Sequence, residues 1–289
     1  MYEAAEGVLT AEALRQPGVL DWALNEWKSG RGGPLAAGVS GTSFLTLRSI
    51  IDDAARVDEL IKLCHGTSIR DTRQLSILRE SLLNDREPDV QLNFACTGMD
   101  PYVGDRVSGL LGHTDPGSYI GSAAVINHPF SRGSCHISSS DPLAHPTLDP
   151  NYLSEEVDME LTVDALLFIQ KIYHTSPLAE FIKTSEDGQT KQIQHAFKLS
   201  GSLDRAMARK FAKDAAISSW HPIGTCAMLP RHAGGVVDPR LKVYGIEGLR
   251  IVDASVMPRH VRGNISTSVY AIAERAADMI KEDLTDGVV

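Results

Sequence analysis

The sequence is short of several features that would settle its class at once. Its four cysteines, Cys64, Cys96, Cys135 and Cys226, lie far apart and form no C-x-x-C pair, which excludes a zinc framework and a disulfide-stapled small domain. Buried free thiols are the expectation. Positive charge is also scarce. Lys and Arg number 28 against 37 Asp and Glu, a net charge of −9, whereas a nucleic-acid surface is basic, so no nucleic-acid partner is expected. No window approaches 18 uninterrupted apolar residues, so no membrane-spanning helix is expected. The opening Met1-Tyr2-Glu3-Ala4-Ala5-Glu6 lacks the basic-then-apolar run of a secretory leader, which by default predicts a cytoplasmic location.

Glycines two apart occur only at Gly30 and Gly32. Pro34 follows closely, no apolar strand precedes them, and the spacing is not G-x-G-x-x-G, so no phosphate-cradling loop is read there. A nucleophile elbow is missing too. Gly38-Val39-Ser40-Gly41-Thr42 places its second glycine one position too early for G-x-S-x-G, which weighs against a serine hydrolase. His128, His136 and His145 are near one another in sequence but lack metal-ligand spacing, so no metal is expected.

What is present is ordinary globular composition: 289 residues, 43% apolar and 22% charged, enough for a large core in one or two domains. Residues 8–28 read as helical with a break near Pro17-Gly18. Ala54, Val57, Leu60, Ile61 and Cys64 repeat with helical period, and a second helix is expected over 69–84. Residues 89–97, 119–127 and 133–139 read as strands, and alternation in the first and third predicts an antiparallel sheet with one wetter face. Asp141-Pro142 to Asp149-Pro150 is a proline-punctuated loop before a long helix over 154–173. Residues 174–200 carry no clear pattern, and Ser202 starts a helix to about Ala215. There is no internal repeat and no low-complexity segment.

The final third changes character. Residues 234–239 and 243–245 read as short strands and turns. Leu249-Arg250-Ile251-Val252 reads as a compact buried strand ending on Asp253. Asn264 opens a helix whose inner face is Val269, Ile272, Ala273, Ala276 and Ile280. Ahead of it, Trp220-His221-Pro222-Ile223-Gly224-Thr225 puts an imidazole into a tight turn, 43 positions before Asn264 (264 − 221).

Four stretches taken together resemble the C-terminal portion of the glucose–methanol–choline (GMC) oxidoreductases. They are His221-Pro222-Ile223-Gly224-Thr225-Cys226, Gly235-Val236-Val237-Asp238, Leu249 to Ser255, and Gly263-Asn264 through Asp278. Ser131-Arg132-Gly133, Asp141-Pro142 and Asp149-Pro150 also resemble that family's substrate domain. Before about residue 90 the likeness is weak. The resemblance implies an α+β fold: a substrate domain of antiparallel sheet and helices over 1–215, and over 216–289 a segment that completes a Rossmann-type FAD-binding domain. The family's N-terminal half, with its dinucleotide fingerprint, has no counterpart here. The expectation is therefore a fragment, a truncated product, or one piece of a split protein that uses a separate FAD-binding segment. Ile265 stands where many relatives carry proline, a change a helix opening tolerates.

The resemblance implies FAD as cofactor and a small-molecule alcohol as substrate, oxidised to a carbonyl with hydride passing to flavin N5. Imidazole suits the base, because its ordinary pKa of about 6.5 leaves it largely neutral near pH 7. An amide does not titrate there but donates a hydrogen bond to an oxygen gaining charge. His221 is thus expected to take the proton and Asn264 to orient and stabilise. Trp220, Asp253, Ala254, Ile265, Ser266 and Thr267 are expected to contact the cofactor. Asp253 is expected to bond a hydroxyl or a backbone N–H rather than a phosphate oxygen. Asn264-Ile265-Ser266 is the one glycosylation sequon, and a site role for Asn264 predicts it unglycosylated. A competing reading is a non-redox lyase or cyclase on the same scaffold, or an inactive binding protein.

Overall fold

The computed structural model describes residues 1–36, 41–69, 72–103, 110, 116–184, 188 and 203–285. The Gly38–Ser40 part of the rejected elbow lies outside them, as does most of the unpatterned stretch 174–200. A four-stranded antiparallel sheet, in the order β1-β4-β3-β2, is built from β1 (Tyr2–Glu3), β2 (Gly41–Leu45), β3 (Val90–Ala95) and β4 (Tyr119–Ile126). Among the described residues the α-helices are α1 (Val19–Lys28), α2 (Leu47–Ile50), α3 (Ala54–Leu63), α4 (Thr72–Leu83), α5 (Glu156–Tyr173), α6 (Arg205–Ala215) and α7 (Ser266–Thr285). A separate two-stranded hairpin pairs β5 (Ser134–His136) with β6 (Thr147–Asp149).

Alternation divides the sheet into two faces. Val90, Leu92 and Phe94 turn toward α5, where they join Tyr2, Ile120, Ile126, Ile169 and Tyr173 in the main core. Tyr2 stacks on Tyr173 with ring centroids 4.1 Å apart, and the Tyr173 hydroxyl lies 2.7 Å from Ser122 Oγ. The other face carries Thr42, Phe44, Gln91 and Asn93, since Thr42 pairs with Asn93 and Phe44 with Gln91. Asn93 Oδ1 accepts from Thr42 Oγ1 at 3.0 Å and from Gln91 Nε2 at 2.9 Å. This is the wetter face that the alternation predicts.

Helix α5 ties the layers together. Asp158 accepts the backbone N–H groups of Phe130 (2.9 Å) and Ser131 (2.6 Å), and so fixes the turn before Arg132-Gly133. Burial pushes its pKa up, against those hydrogen bonds. Glu160 and Asp164 receive Arg56 from α3 and Arg205 from α6. Asp164 is buried and Arg56 and Glu160 nearly so, so the network sets the register of the three helices and loss of one partner would leave a charge uncompensated.

Several expectations are revised. The 8–28 segment splits, as its Pro17-Gly18 break predicts, into a 3-10 turn (Ala11–Arg15) and α1. Helix α6 begins at Arg205, capped by Asp204, which accepts Met207 N–H at 2.8 Å; Ser202 lies outside the described residues. Within the expected proline loop, Thr147–Asp149 is a strand. Residues 249–252 are not a strand. Lys242 and Arg250 form one isolated bridge, and among the described residues this run has no partner on its other side, so no ladder propagates. Only Cys64 is a buried thiol; Cys96, just past the end of β3, and Cys135, on the exposed hairpin, are exposed, and Cys226 is intermediate. Of the inner face expected for α7, only Ala276 is buried. Among the described residues no helix is long and apolar enough to cross a membrane.

Residues 236–276 build a separate, smaller cluster: Val237, Leu241, Val256 and Ala276 are buried, with Val236, Val243, Ile251, Val252 and Ile272 against them. Asp283 near the end of α7 receives Arg240, Lys242 and Arg250, clamping the helix to that cluster.

Asp89 heads β3, is 3% exposed, and accepts Leu47 N–H at 2.6 Å at the start of α2. Burial, opposed by that bond and reinforced by Glu87 and Asp85, raises its pKa to about 7. Because the folded value lies above the ordinary 3.8, the fold favours the protonated carboxyl, and stability falls as pH rises through that interval. Asp89→Asn keeps an acceptor for Leu47 and removes the penalty. Urea unfolding is expected to show no change near pH 4. Above pH 7 it is expected to show a gain of up to a few kcal/mol, on the order of 1.4 per pKa unit.

Candidate active site

The turn carrying His221 is laid directly on the segment after Asp253. Cys226 N–H donates to Ser255 O at 2.9 Å and Met228 N–H to Val256 O at 2.8 Å. Gly224, at φ +85°, sits where a Cβ would stand 3.4 Å from Met257 O. This left-handed turn therefore suits glycine. Trp220 also adopts a positive φ, 57°, a conformation a bulky aromatic holds at a cost of about 1–3 kcal/mol, and its N–H donates to Ser218 Oγ at 2.9 Å. The backbone is thus strained at the residue before the imidazole.

Asp253 does bond a backbone N–H: its Oδ1 accepts from Ser255 at 2.8 Å and caps the 3-10 turn Ala254–Val256. The chain then runs through Met257-Pro258-Arg259-His260-Val261-Arg262-Gly263 to Asn264. Gly263 has φ +82°, and a Cβ there would come 3.2 Å from Phe44 Cζ and 3.8 Å from Gln91 Oε1. The residue before Asn264 therefore rests against the polar face of the sheet. Helix α7 starts at Ser266, two residues later than the sequence suggests, and its first bond runs from Val269 N–H to Ile265 O at 3.0 Å.

The structure sets the predicted site residues in distinct environments. Trp220, Asp253, Asn264, Ser266 and Thr267 are exposed, His221 and Ala254 are half-buried, and the Ile265 side chain is buried. Ile265 can therefore offer a ligand only backbone. The first-turn N–H groups of α7 lack intrahelical partners and lie at the positive end of a 20-residue helix with no acid in its first turn, a donor set suited to an anionic group.

Two histidines that the sequence gives no reason to select adjoin this region. Burial first, then the charges of His221, His128 and Arg132, push His260 down to about 4. His128 is buried, with Nδ1 3.1 Å from His260 O and Nε2 3.0 Å from Glu87 Oε1. His136 and His145 are exposed, and no group of described residues could hold a metal ion.

A sequence model of the GMC oxidoreductase family matches residues 129–273, half of the sequence, and the chain belongs to that family. The GMC oxidoreductase family protein Mala s 12 of Malassezia sympodialis is 40% identical over 172 residues, covering 59% of this chain and 26% of that protein. Dehydrogenase citC of Monascus ruber is 28% identical over 98% of this chain and 46% of its own length. The chain thus spans from about a quarter to about half the length of these relatives. A fungal aryl-alcohol oxidase structure superposes with a TM-score of 0.70 at 25% identity, over 99% of this chain and 46% of that one. An FAD-dependent oxidoreductase from Chaetomium thermophilum gives 0.77 at 18% identity, over 98% and 46%, which shows likeness of fold. The antiparallel sheet flanked by helices is the α+β arrangement expected of the family's substrate domain.

Gly263→Ala tests how tightly the approach to Asn264 is held. A side chain in the left-handed region costs about 1–2 kcal/mol, and the Phe44 ring must also give way. Chemical denaturation is expected to show a loss of that size or more, with Gly263→Ala/Phe44→Ala recovering the part due to the ring.

Proposed function

We propose that this chain is the substrate-binding and proton-handling part of an FAD-dependent oxidoreductase acting on CH–OH groups. One observation carries the reading: the turn of His221 is hydrogen-bonded onto the Asp253–Met257 segment that leads through Asn264 into the N-terminus of α7. In this reading residues 1–215 are mostly substrate domain and 216–289 complete the FAD-binding domain. The separate cluster around Val237 and Ala276 supports that division.

The residues present fit the flavin end of the cofactor. Backbone N–H groups at Ile265, Ser266 and Thr267 would face its pyrimidine edge, where the helix end favours negative charge. Asp253, already engaged by Ser255, and the small Ala254 would stand by the ribityl–pyrophosphate portion, with Trp220 flanking. The ADP portion would be held by a dinucleotide-binding segment beyond these 289 residues, on the same or a separate polypeptide.

When bound, FAD supplies the hydride acceptor. An imidazole nitrogen of His221 takes the hydroxyl proton of the alcohol. Asn264 Nδ2–H donates to the substrate oxygen as charge builds on it, a contribution that grows where water is excluded. The polar face of the sheet, with Thr42, Gln91 and Asn93, would close the substrate side.

In a flavin-loaded form, His221→Ala is expected to slow bleaching of the flavin band by alcohol about 10²- to 10⁴-fold, the usual worth of a positioned base. Stopped-flow absorbance checks this, and an unchanged rate would remove His221 from the mechanism.

A further inference from the structure

The loop that delivers Asn264 is fastened to the sheet layer by a hydrogen-bonded pair from elsewhere in the chain, buried His128 and half-buried Glu87. His128 follows β4 and Glu87 precedes β3. His128 Nε2 lies 3.0 Å from Glu87 Oε1, and His128 Nδ1 lies 3.1 Å from the carbonyl oxygen of His260. Arg262 reaches the other oxygen of Glu87 at 3.4 Å, and Arg259 Nη1 donates to Ser81 Oγ at 2.6 Å. These contacts span residues 259–262, immediately before Gly263 and Asn264.

The chemistry of the two ring contacts is unequal to a neutral imidazole. A backbone carbonyl oxygen only accepts, so Nδ1 must carry a proton. A carboxylate also only accepts, so Nε2 must carry one as well, unless the carboxyl itself is protonated and donates to Nε2. In either description the pair holds one proton between Nε2 and Oε1 in addition to the proton on Nδ1. Once that shared proton leaves, a carboxylate faces an imidazole lone pair and one of the two contacts fails.

We infer that His128 and Glu87 are positioning residues for Asn264, forming a clasp that closes the 259–263 loop only while one proton is shared between them. The inference rests on the proposed function only for its consequence, since the clasp acts on loop geometry whether or not flavin is bound. Burial pulls the His128 pKa below its ordinary value, Glu87 opposes this, and Arg259 adds to the lowering. The shared proton therefore leaves at a pH below the ordinary imidazole value, and the clasp opens as pH rises through that acidic interval. Charged and titratable groups around the pair are Asp85 and Asp89 beside Glu87, Arg259 and Arg262 on the loop, and His260, whose own neighbours are His221 and Arg132, the latter backed by Asp158 of α5. Asp89 titrates in a neighbouring range, so the series is best run in the Asp89→Asn background, where that carboxyl is silent.

Amide hydrogen exchange of a peptide covering 258–264, corrected for the intrinsic pH dependence of exchange, reads the clasp directly in the chain without flavin. The parent is expected to lose at least about tenfold of protection in this peptide as pH rises, while the core of α5 keeps its protection. His128→Gln cannot bridge both acceptors, and is expected to be unprotected at every pH. Glu87→Gln has the opposite expectation. Its amide N–H can donate to a neutral His128 Nε2 while Nδ1–H still reaches His260 O, so the loop stays protected and the pH dependence disappears. A parent with no pH dependence in this peptide, or a Glu87→Gln variant that exchanges like His128→Gln, would overturn the inference. Flavin binding, measured separately by absorbance, reports on the proposed function and leaves this result standing either way.

Discussion

Helix α5 is the element on which the other parts depend. Half of its eighteen residues are buried, because one side packs on the sheet and another on α6. Burying a Leu, Ile or Val side chain contributes about 1.5–3 kcal/mol, so this one helix supplies much of what holds the layers together. It also carries the polar instructions. Asp158 sets the turn after β4, and Glu160 and Asp164 receive arginines from two other helices. His128 lies in that same turn region, so the placement of the 259–263 loop is two contacts away from the buried face of α5. Fold stability and site geometry here share one physical origin.

How much of this was legible in the sequence depended on whether the signal was local. Val57, Leu60 and Cys64, and the long apolar repeat of α5, announce helices because one turn of spacing suffices to see them. β1 has two residues and β2 reads Gly41-Thr42-Ser43-Phe44-Leu45; neither is apolar or long enough to be picked out, and both are strands only because β4 and β3 offer them partners. The run 249–252 shows the reverse. Its apolar side chains promise a strand, but a ladder needs neighbours, and the described residues provide one bridge.

The candidate site followed the same division. His221, Asp253 and Asn264 could be selected as candidates because they match the family's motif at its spacing in one stretch of chain. The hydrogen bonds that lay the His221 turn on Ser255 and Val256 give that spacing a structural reason. His128, Glu87 and His260 could not be found that way. Their contacts join residues 41 and 132 positions apart, and nothing in a linear pattern pairs an imidazole with a distant carbonyl. Thr42, Gln91 and Asn93 were equally hidden, since their shared face is defined by strand register.

The central claim is that the N-terminus of α7, with Asn264 beside it, receives a flavin. The most direct measurement is a visible difference spectrum of this chain titrated with FAD, beside the variant Thr267→Asp. An acid in the first turn favours the helix but opposes an anionic ligand, so loss of binding in that variant is not loss of fold. The account predicts a saturable perturbation of the flavin band with the parent chain and none with Thr267→Asp. Spectra that equal the sum of protein and free flavin at every ratio would contradict it.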